Sequence, residues 1–298
     1  KRKVFNPIDK KNMKIIKYFF QFIFICLFFL ICKLLGYKKS SNFGAKFGEF
    51  FGPIFRSKKT ISKNLKIALP QISNDEIKNI SKNMWKNYGR ILAEYMYIKN
   101  FRNLKLKKFI EIENSNILED INKKNKPVIF ISGHFNNFEL LAMIIEMTGI
   151  NLAALYRPLN NLFLNKIMIK IRAKYICKNQ IPKGISGVKS MVNLFKNGTS
   201  LAMMIDQRVS QGERISFFNS PALTTTIPAQ FVKKYNCQIV PLYIERIDKY
   251  YFKVKVDKPF ELNQNNSIEQ ISETLNRWLE KKILNNPNQW IWSHNRWK

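Results

Sequence analysis

Apolar residues are distributed in three different ways along this chain. Residues 18–32, YFFQFIFICLFFLIC, are almost wholly apolar, with Gln21 as the only strongly polar interruption. Extended from Ile15 to Leu35, the run reaches about 20 residues, the length that crosses a hydrocarbon core. Lys17 and Lys33 lie near its ends, where long basic side chains can reach the headgroups. The sequence that follows, LLGYKKSSNFG, is lysine-rich and lacks a small-residue cleavage site. The run therefore reads as a retained anchor, assigned to residues 15–37, rather than as a signal peptide. A basic extension covers residues 1–14; the sequence does not open on methionine, and Met13 is expected to lie nearer the natural start than Lys1. Lys10, Lys11, Lys14 and Lys17 precede the run and Lys33, Lys38 and Lys39 follow it. Basic flanks on both sides give no orientation. A tilted or re-entrant anchor would keep both on one face.

From about 41 to 105, apolar residues recur at mixed spacings of three and four, which predicts helices. FGAKFGEFFGPIF is amphipathic and aromatic, as an interfacial helix would be. ISNDEIKNISKNMWKNYGRILAEYMYI opens on Ser73 or Asn74 as a cap, with Asp75 and Glu76 in the first turn.

From Pro127 short apolar runs alternate with helical segments. PVIFIS predicts a strand buried on both faces, followed by a helix at about 137–149 and a strand at 151–156. KYICKNQ lies between helices at about 160–172 and 186–197, and TSLAMMID at 199–206 continues the alternation. A helix at 227–236, strands in CQIVPLYIER and YFKVKV, and a helix at about 267–285 complete it. The predicted fold class is α/β, with a mixed, largely parallel sheet flanked by helices. Residues 38–298 form one catalytic-sized domain with its helical part first.

Charge adds a partner to this frame. Lys and Arg number 51 against 20 Asp and Glu, a formal net charge of +31. Richness in Lys, Asn and Ile also fits a codon bias, but not the shortage of acids. Such an excess suits an anionic partner, whether nucleic acid, anionic lipid or an acidic protein. Cys26, Cys32, Cys177 and Cys237 include no CxxC pair, so neither a disulfide framework nor a zinc site is expected. No metal or cofactor is expected.

Two histidines narrow the search for chemistry. His134, in ISGHFNNFEL, follows a predicted buried strand and precedes a helix, at the carboxyl edge where α/β sheets gather ligands. Glu139 lies within reach of a turn from it. A carboxylate there would fix the imidazole's tautomer and stabilise its protonated form, leaving the other ring nitrogen to deprotonate a hydroxyl. A capped histidine holding a strand–helix turn fits the same pattern. His294, in WSHNRW among Trp290, Trp292 and Trp297, reads as a structural residue, in packing or an interfacial belt. GxSxG, GxxxxGK[ST] and GxGxxG are absent, which removes support for a serine-hydrolase elbow, a P-loop and a dinucleotide fingerprint.

The chain resembles the bacterial lipid A biosynthesis acyltransferases, the late lauroyl or myristoyl transferases. GHFNNFE is similar to the family's GHFGNWE-like block, with Asn136, Asn137 and Phe138 where Gly, Asn and Trp are usual. SKKTISKNLKIALP, YRP at 156–158, DQ at 206–207, FFNSPALT at 217–224 and PNQWIWSHNRWK at 287–298 match in place and order. The resemblance implies O-acyl transfer from acyl carrier protein to a lipid A precursor, an anionic lipid. It implies the bacterial inner membrane, with the catalytic domain at the cytoplasmic face. His134 would be general base and Glu139 its orienting partner. Arg157 would bind an acceptor phosphate or the thioester oxyanion. Asp206, Gln207 and Arg208 lie at the same edge, with Asp206 expected to pair with Arg157 or Arg208. Arg214 would face an anionic headgroup. Phe217 and Phe218 would either line an acyl pocket or pack in the core. Other acceptors, such as a glycerolipid or an amino-acid lipid, fit the same residues. From another class, a membrane-tethered basic nucleic-acid binder fits the charge, but without any RNP, zinc-finger or basic-zipper signature nucleic acid is not the expected partner.

Overall fold

The computed structural model describes residues 7–298, so positions 1–6 of the expected basic extension lie outside the described residues. Helix α1 (Pro7–Phe55) is two helices meeting at Gly36, where φ is 72° and ψ 164°. That conformation is open to glycine and costly for residues with a Cβ. The break folds the second half back on the first, and the rings of Phe28 and Phe47 lie 4.7 Å apart. A straight helix would hold those positions roughly 28 Å apart at 1.5 Å per residue. The first half is long and apolar enough to cross a membrane by length and composition. Phe20, Leu27 and Leu34 on it are exposed.

Helix α2 (Lys58–Ala68) leads to α3 (Asn74–Glu94), which opens on Ser73 in a capping box with Glu76, as the sequence suggests. The second half of α1 packs on α3 so closely that side chains are excluded. A Cβ on Gly89 would overlap the Gly44 carbonyl oxygen, and one on Gly48 would overlap that of Trp85. Gly44, Gly48 and Gly52 recur every four residues, the spacing that lets helix backbones approach. The aromatic stretch expected to lie at an interface thus has one glycine face against protein, while Phe50 and Ile54 remain exposed.

After α4 (Ile98–Arg102), strands and helices alternate: β1 (Ile110–Glu113), α5 (Ser115–Lys124), β2 (Ile129–Ser132), α6 (Glu139–Met147), β3 (Leu152–Tyr156), α7 (Leu162–Ile171), β4 (Asn179–Pro182), α8 (Ile185–Lys196) and β5 (Ser200–Met204). The β6–β7 hairpin (Glu213–Phe217 and Ser220–Thr224) follows, then α9 (Ile227–Tyr235), β8 (Ile239–Asp248), β9 (Tyr251–Val256) and α10 (Ile268–Asn285). Seven strands form one sheet in the order β1-β9-β8-β2-β5-β3-β4, in which only the β8–β9 pairing is antiparallel. The fold is the mixed, largely parallel α/β sheet that the alternation predicts. β1, α5 and the β6–β7 hairpin are additions to the predicted elements.

β2 is buried along its whole length at the centre of the sheet. From β2 the chain crosses towards the β4 edge, while from β5 it crosses back towards the β1 edge. The carboxyl ends of these neighbouring strands form a switch point, where an open α/β sheet leaves a crevice. Behind it lies a buried ion pair. Glu94 accepts from Arg246 at 2.7 and 3.0 Å, from Ser41 at 2.9 Å and from Asn137 at 3.1 Å. This carboxylate ties α1, α3 and β8 to the turn after β2.

Candidate active site

Ser132 and Met204 are register partners in β2 and β5. Two residues beyond each stand His134 and Asp206, and strand pairing brings them together. The Asp206 carboxylate accepts the His134 backbone N–H and meets ring Nδ1, each at 2.7 Å. It also accepts the Trp290 indole N–H at 2.8 Å and is fully buried. Burial pushes this carboxyl up, but His134 and the Trp290 donor outweigh it and hold it below the usual range. An ionised Asp206 therefore keeps the proton of a neutral His134 on Nδ1. Nε2 is left as the acceptor, and the Gln207 amide lies 3.3 Å from it.

Glu139 is engaged elsewhere, which corrects the expected His134–Glu139 contact. As the first residue of α6 it accepts from the Tyr95 hydroxyl at 3.0 Å and forms a two-nitrogen ion pair with Arg172, whose Nε lies at 3.0 Å. Burial lowers the Arg172 pKa, but the Glu139 charge more than offsets this and the net direction is up. Asn136, at φ 44°, turns the chain between the imidazole and the helix and sends Glu139 to the other wall. Asp206 likewise pairs with the imidazole rather than with Arg157 or Arg208.

A cavity of about 440 Å³ opens at this edge, a size that suits a small ligand. Its depth follows from small residues in the sheet. Phe130, Ala202, Ala154 and Gln180 are register partners across β2, β5, β3 and β4, and all four line the cavity. Two alanines in the middle of that row leave space beneath α6, whose Leu141, Ala142 and Ile145 form the opposite wall. The mouth is polar and basic, with His134, Gln207, Arg157, Lys183, Arg56 and His294.

Of the remaining expected residues, Arg157 is exposed on the rim and Gln207 lines the cavity. Arg208 stands outside it, donating its backbone N–H to His294 Nε2 and its Nε–H to the Lys298 carbonyl. Arg214 is exposed on β6, away from the cavity. Phe217 and Phe218 are core residues, with Phe217 stacked 5.4 Å from Trp297 and 4.9 Å from the buried Arg296 guanidinium. Neither ring is among the residues that line the cavity. Arg172, Lys183 and Arg56 also line the cavity through tertiary contacts that no local pattern signals, and His294 lines it although its tryptophan neighbours suggest packing or an interfacial belt.

A half-buried histidine paired with a fully buried aspartate, beside a cavity at the switch point of an α/β sheet, has the form of an enzyme site. The sequence matches the family described as bacterial lipid A biosynthesis acyltransferase over residues 6–298. It is 21% identical over 260 residues to the lipid A biosynthesis palmitoleoyltransferase of Escherichia coli (strain K12), covering 86% of this chain and 83% of that one. It is 22% identical over 255 residues to lipid A biosynthesis acyltransferase 2 of Shigella flexneri, covering 83% and 80%. With the lipid A biosynthesis myristoyltransferase of Escherichia coli (strain K12) it shares 20% over 252 residues, covering 83% and 77%. The chain belongs to the bacterial lipid A biosynthesis acyltransferase family.

Proposed function

We propose that this enzyme transfers a fatty acyl chain from the thioester of acyl carrier protein to a hydroxyl of a lipid A precursor, with His134 as general base. The observation that carries the reading is the orientation of the imidazole. Nδ1 is committed to the buried Asp206, and Nε2 lines the cavity with a lone pair. An incoming hydroxyl displaces Gln207 and gives its proton to Nε2 as its oxygen attacks the thioester carbonyl. The C–S bond then breaks, and the leaving thiolate takes that proton. Asp206 stabilises the imidazolium between these steps. The cavity between the sheet and α6 takes the hydrocarbon. Arg157 at the rim binds an acceptor phosphate, and Glu139 holds Arg172 in the cavity wall.

The first half of α1 is the membrane anchor in this reading. Phe163 of α7 lies 5.8 Å from the rings of Phe19 and Phe22, and Asn161 donates to the Tyr18 carbonyl at 2.8 Å. The loop carrying Arg157 therefore ends against the anchor, which brings the cavity mouth to the lipid surface. A net charge of +31 suits both an acidic carrier protein and an anionic inner membrane at its cytoplasmic face. The test is incubation of the full chain in membranes with isotope-labelled acyl-carrier protein, followed by mass spectrometry of the lipids. Label in an ester of the lipid A precursor is expected. Label in a glycerolipid or amino-acid lipid, or transfer only from another thioester, would overturn the acceptor or the donor respectively.

A further inference from the structure

The C-terminal segment brings a second imidazole to the same cavity mouth. His294 lines it together with His134 and Gln207. Four hydrogen bonds hold this residue: its carbonyl accepts from Asn64 Nδ2 at 2.6 Å and from the Arg296 N–H at 2.9 Å, its N–H donates to the Ile291 carbonyl at 3.2 Å, and ring Nε2 accepts the Arg208 backbone N–H at 2.9 Å. The last bond sets the tautomer. A backbone N–H can only donate, so Nε2 carries the lone pair and the proton of the neutral ring sits on Nδ1. Among the described residues, Nδ1–H has no hydrogen-bond acceptor.

Neutrality follows from the surroundings. Burial takes the His294 pKa down, Asp206 opposes this, and His134, Arg296 and Arg56 add to the lowering, which reaches about 4. The His134 backbone and Nδ1 groups go to Asp206, the Gln207 amide lies on His134 Nε2, and Arg172 is held by Glu139.

We propose that His294 is a second catalytic residue, whose Nδ1–H donates to the oxyanion formed when the hydroxyl adds to the thioester carbonyl. The proposal rests on the acyl-transfer reading of His134. As the new C–O bond forms, the hydroxyl proton passes to His134 Nε2 and the carbonyl π pair moves onto oxygen. That oxygen accepts from His294 until the C–S bond breaks and the thiolate takes the proton from His134. His294 neither gains nor loses a proton. A rigid neutral donor is already aligned when charge develops, the arrangement that gives such groups their effect.

The test compares His294→Ala and His294→Asn with wild type, using acyl-carrier protein and the lipid acceptor in mixed micelles. An asparagine amide nitrogen can stand where Nδ1 stands. Loss of about 10²–10³-fold in kcat is expected for His294→Ala, with both KM values within about twofold. His294→Asn is expected to recover at least about tenfold of that loss. Melting temperatures establish that the variants fold, and where His294→Ala does not fold, the kcat of His294→Asn decides alone, expected within about tenfold of wild type. A folded His294→Ala enzyme within about threefold of wild-type kcat would overturn the proposal. A change confined to KM, or a folded His294→Asn enzyme as slow as His294→Ala, or slower than that tenfold limit when measured alone, would overturn it too. His134→Ala in the same assay separates the two ideas, because its full activity would sink the general-base reading itself.

Discussion

His134 and Asp206 stand 72 residues apart in the chain and share two bonds of 2.7 Å, one to the backbone N–H and one to the ring. The double contact fixes both the position of the turn and the rotation of the imidazole. It also separates the carboxylate that orients the imidazole from the carboxylate that lies nearest in sequence.

Asp206→Asn should therefore cost far more than the loss of one charge suggests. An amide can turn its NH₂ towards Nδ1, which puts the ring proton on Nε2, where the hydroxyl must enter. A fall of about 10³–10⁴-fold in kcat is expected. Glu139→Gln leaves the His134–Asp206 bonds in place and weakens only the Arg172 pair, so its kcat should fall much less while its melting temperature drops. Steady-state kinetics with thermal melts on both variants check this, and a larger kcat loss for Glu139→Gln would reverse the assignment.

The two alanines that open the cavity predict an effect on chain length. Ala202→Leu adds three carbons to the row Phe130, Ala202, Ala154, Gln180, inside the cavity. It should shift the preferred acyl group to a shorter chain without destroying the fold, because the new side chain fills empty space. A competition assay with carrier proteins of graded acyl length reads the shift directly.

The α1–α3 contact should not tolerate bulk. Gly89→Val places a side chain where the Gly44 carbonyl stands and should cost about 1–3 kcal/mol or more. A lower melting temperature and faster proteolysis between residues 36 and 57 are the expected readouts.

Acid should destabilise the protein in two stages. The His294 pKa falls from 6.5 to about 4 on folding, so the unfolded chain binds more protons between these values. Stability should decline as pH falls from 6.5 to 4, and most of that decline should vanish in His294→Asn. Asp206 is held below its ordinary 3.8, so its contribution is complete above that value and is lost as pH falls through the lower folded one. Melting curves at closely spaced pH values separate the two stages.

The architecture was largely legible because its central strands are short apolar runs punctuated by helical periodicity. PVIFIS becomes β2, and TSLAMMID becomes β5, close to the expected bounds. The β6–β7 hairpin was not legible because its turn is made by Phe218 and Asn219, both at positive φ, at φ 52° and 53°. Glycine normally announces such a turn, and a phenylalanine hides it. The partner of His134 was missed for a different reason. Sequence proximity favoured Glu139, whereas the true neighbour depends on β2 pairing with β5, a long-range choice that no local pattern encodes. Once that register is known, two steps beyond Ser132 and Met204 lead to both residues. His294 required more still, since its tautomer is set by the backbone N–H of Arg208, a residue 86 positions away.

The most direct test of the central claim is the turnover of His134→Ala with acyl-carrier protein and lipid A precursor, measured beside its melting temperature and membrane retention. A folded, membrane-bound variant that has lost nearly all transfer is the expected result. Near-normal turnover from that variant would contradict the assignment of His134 as the base.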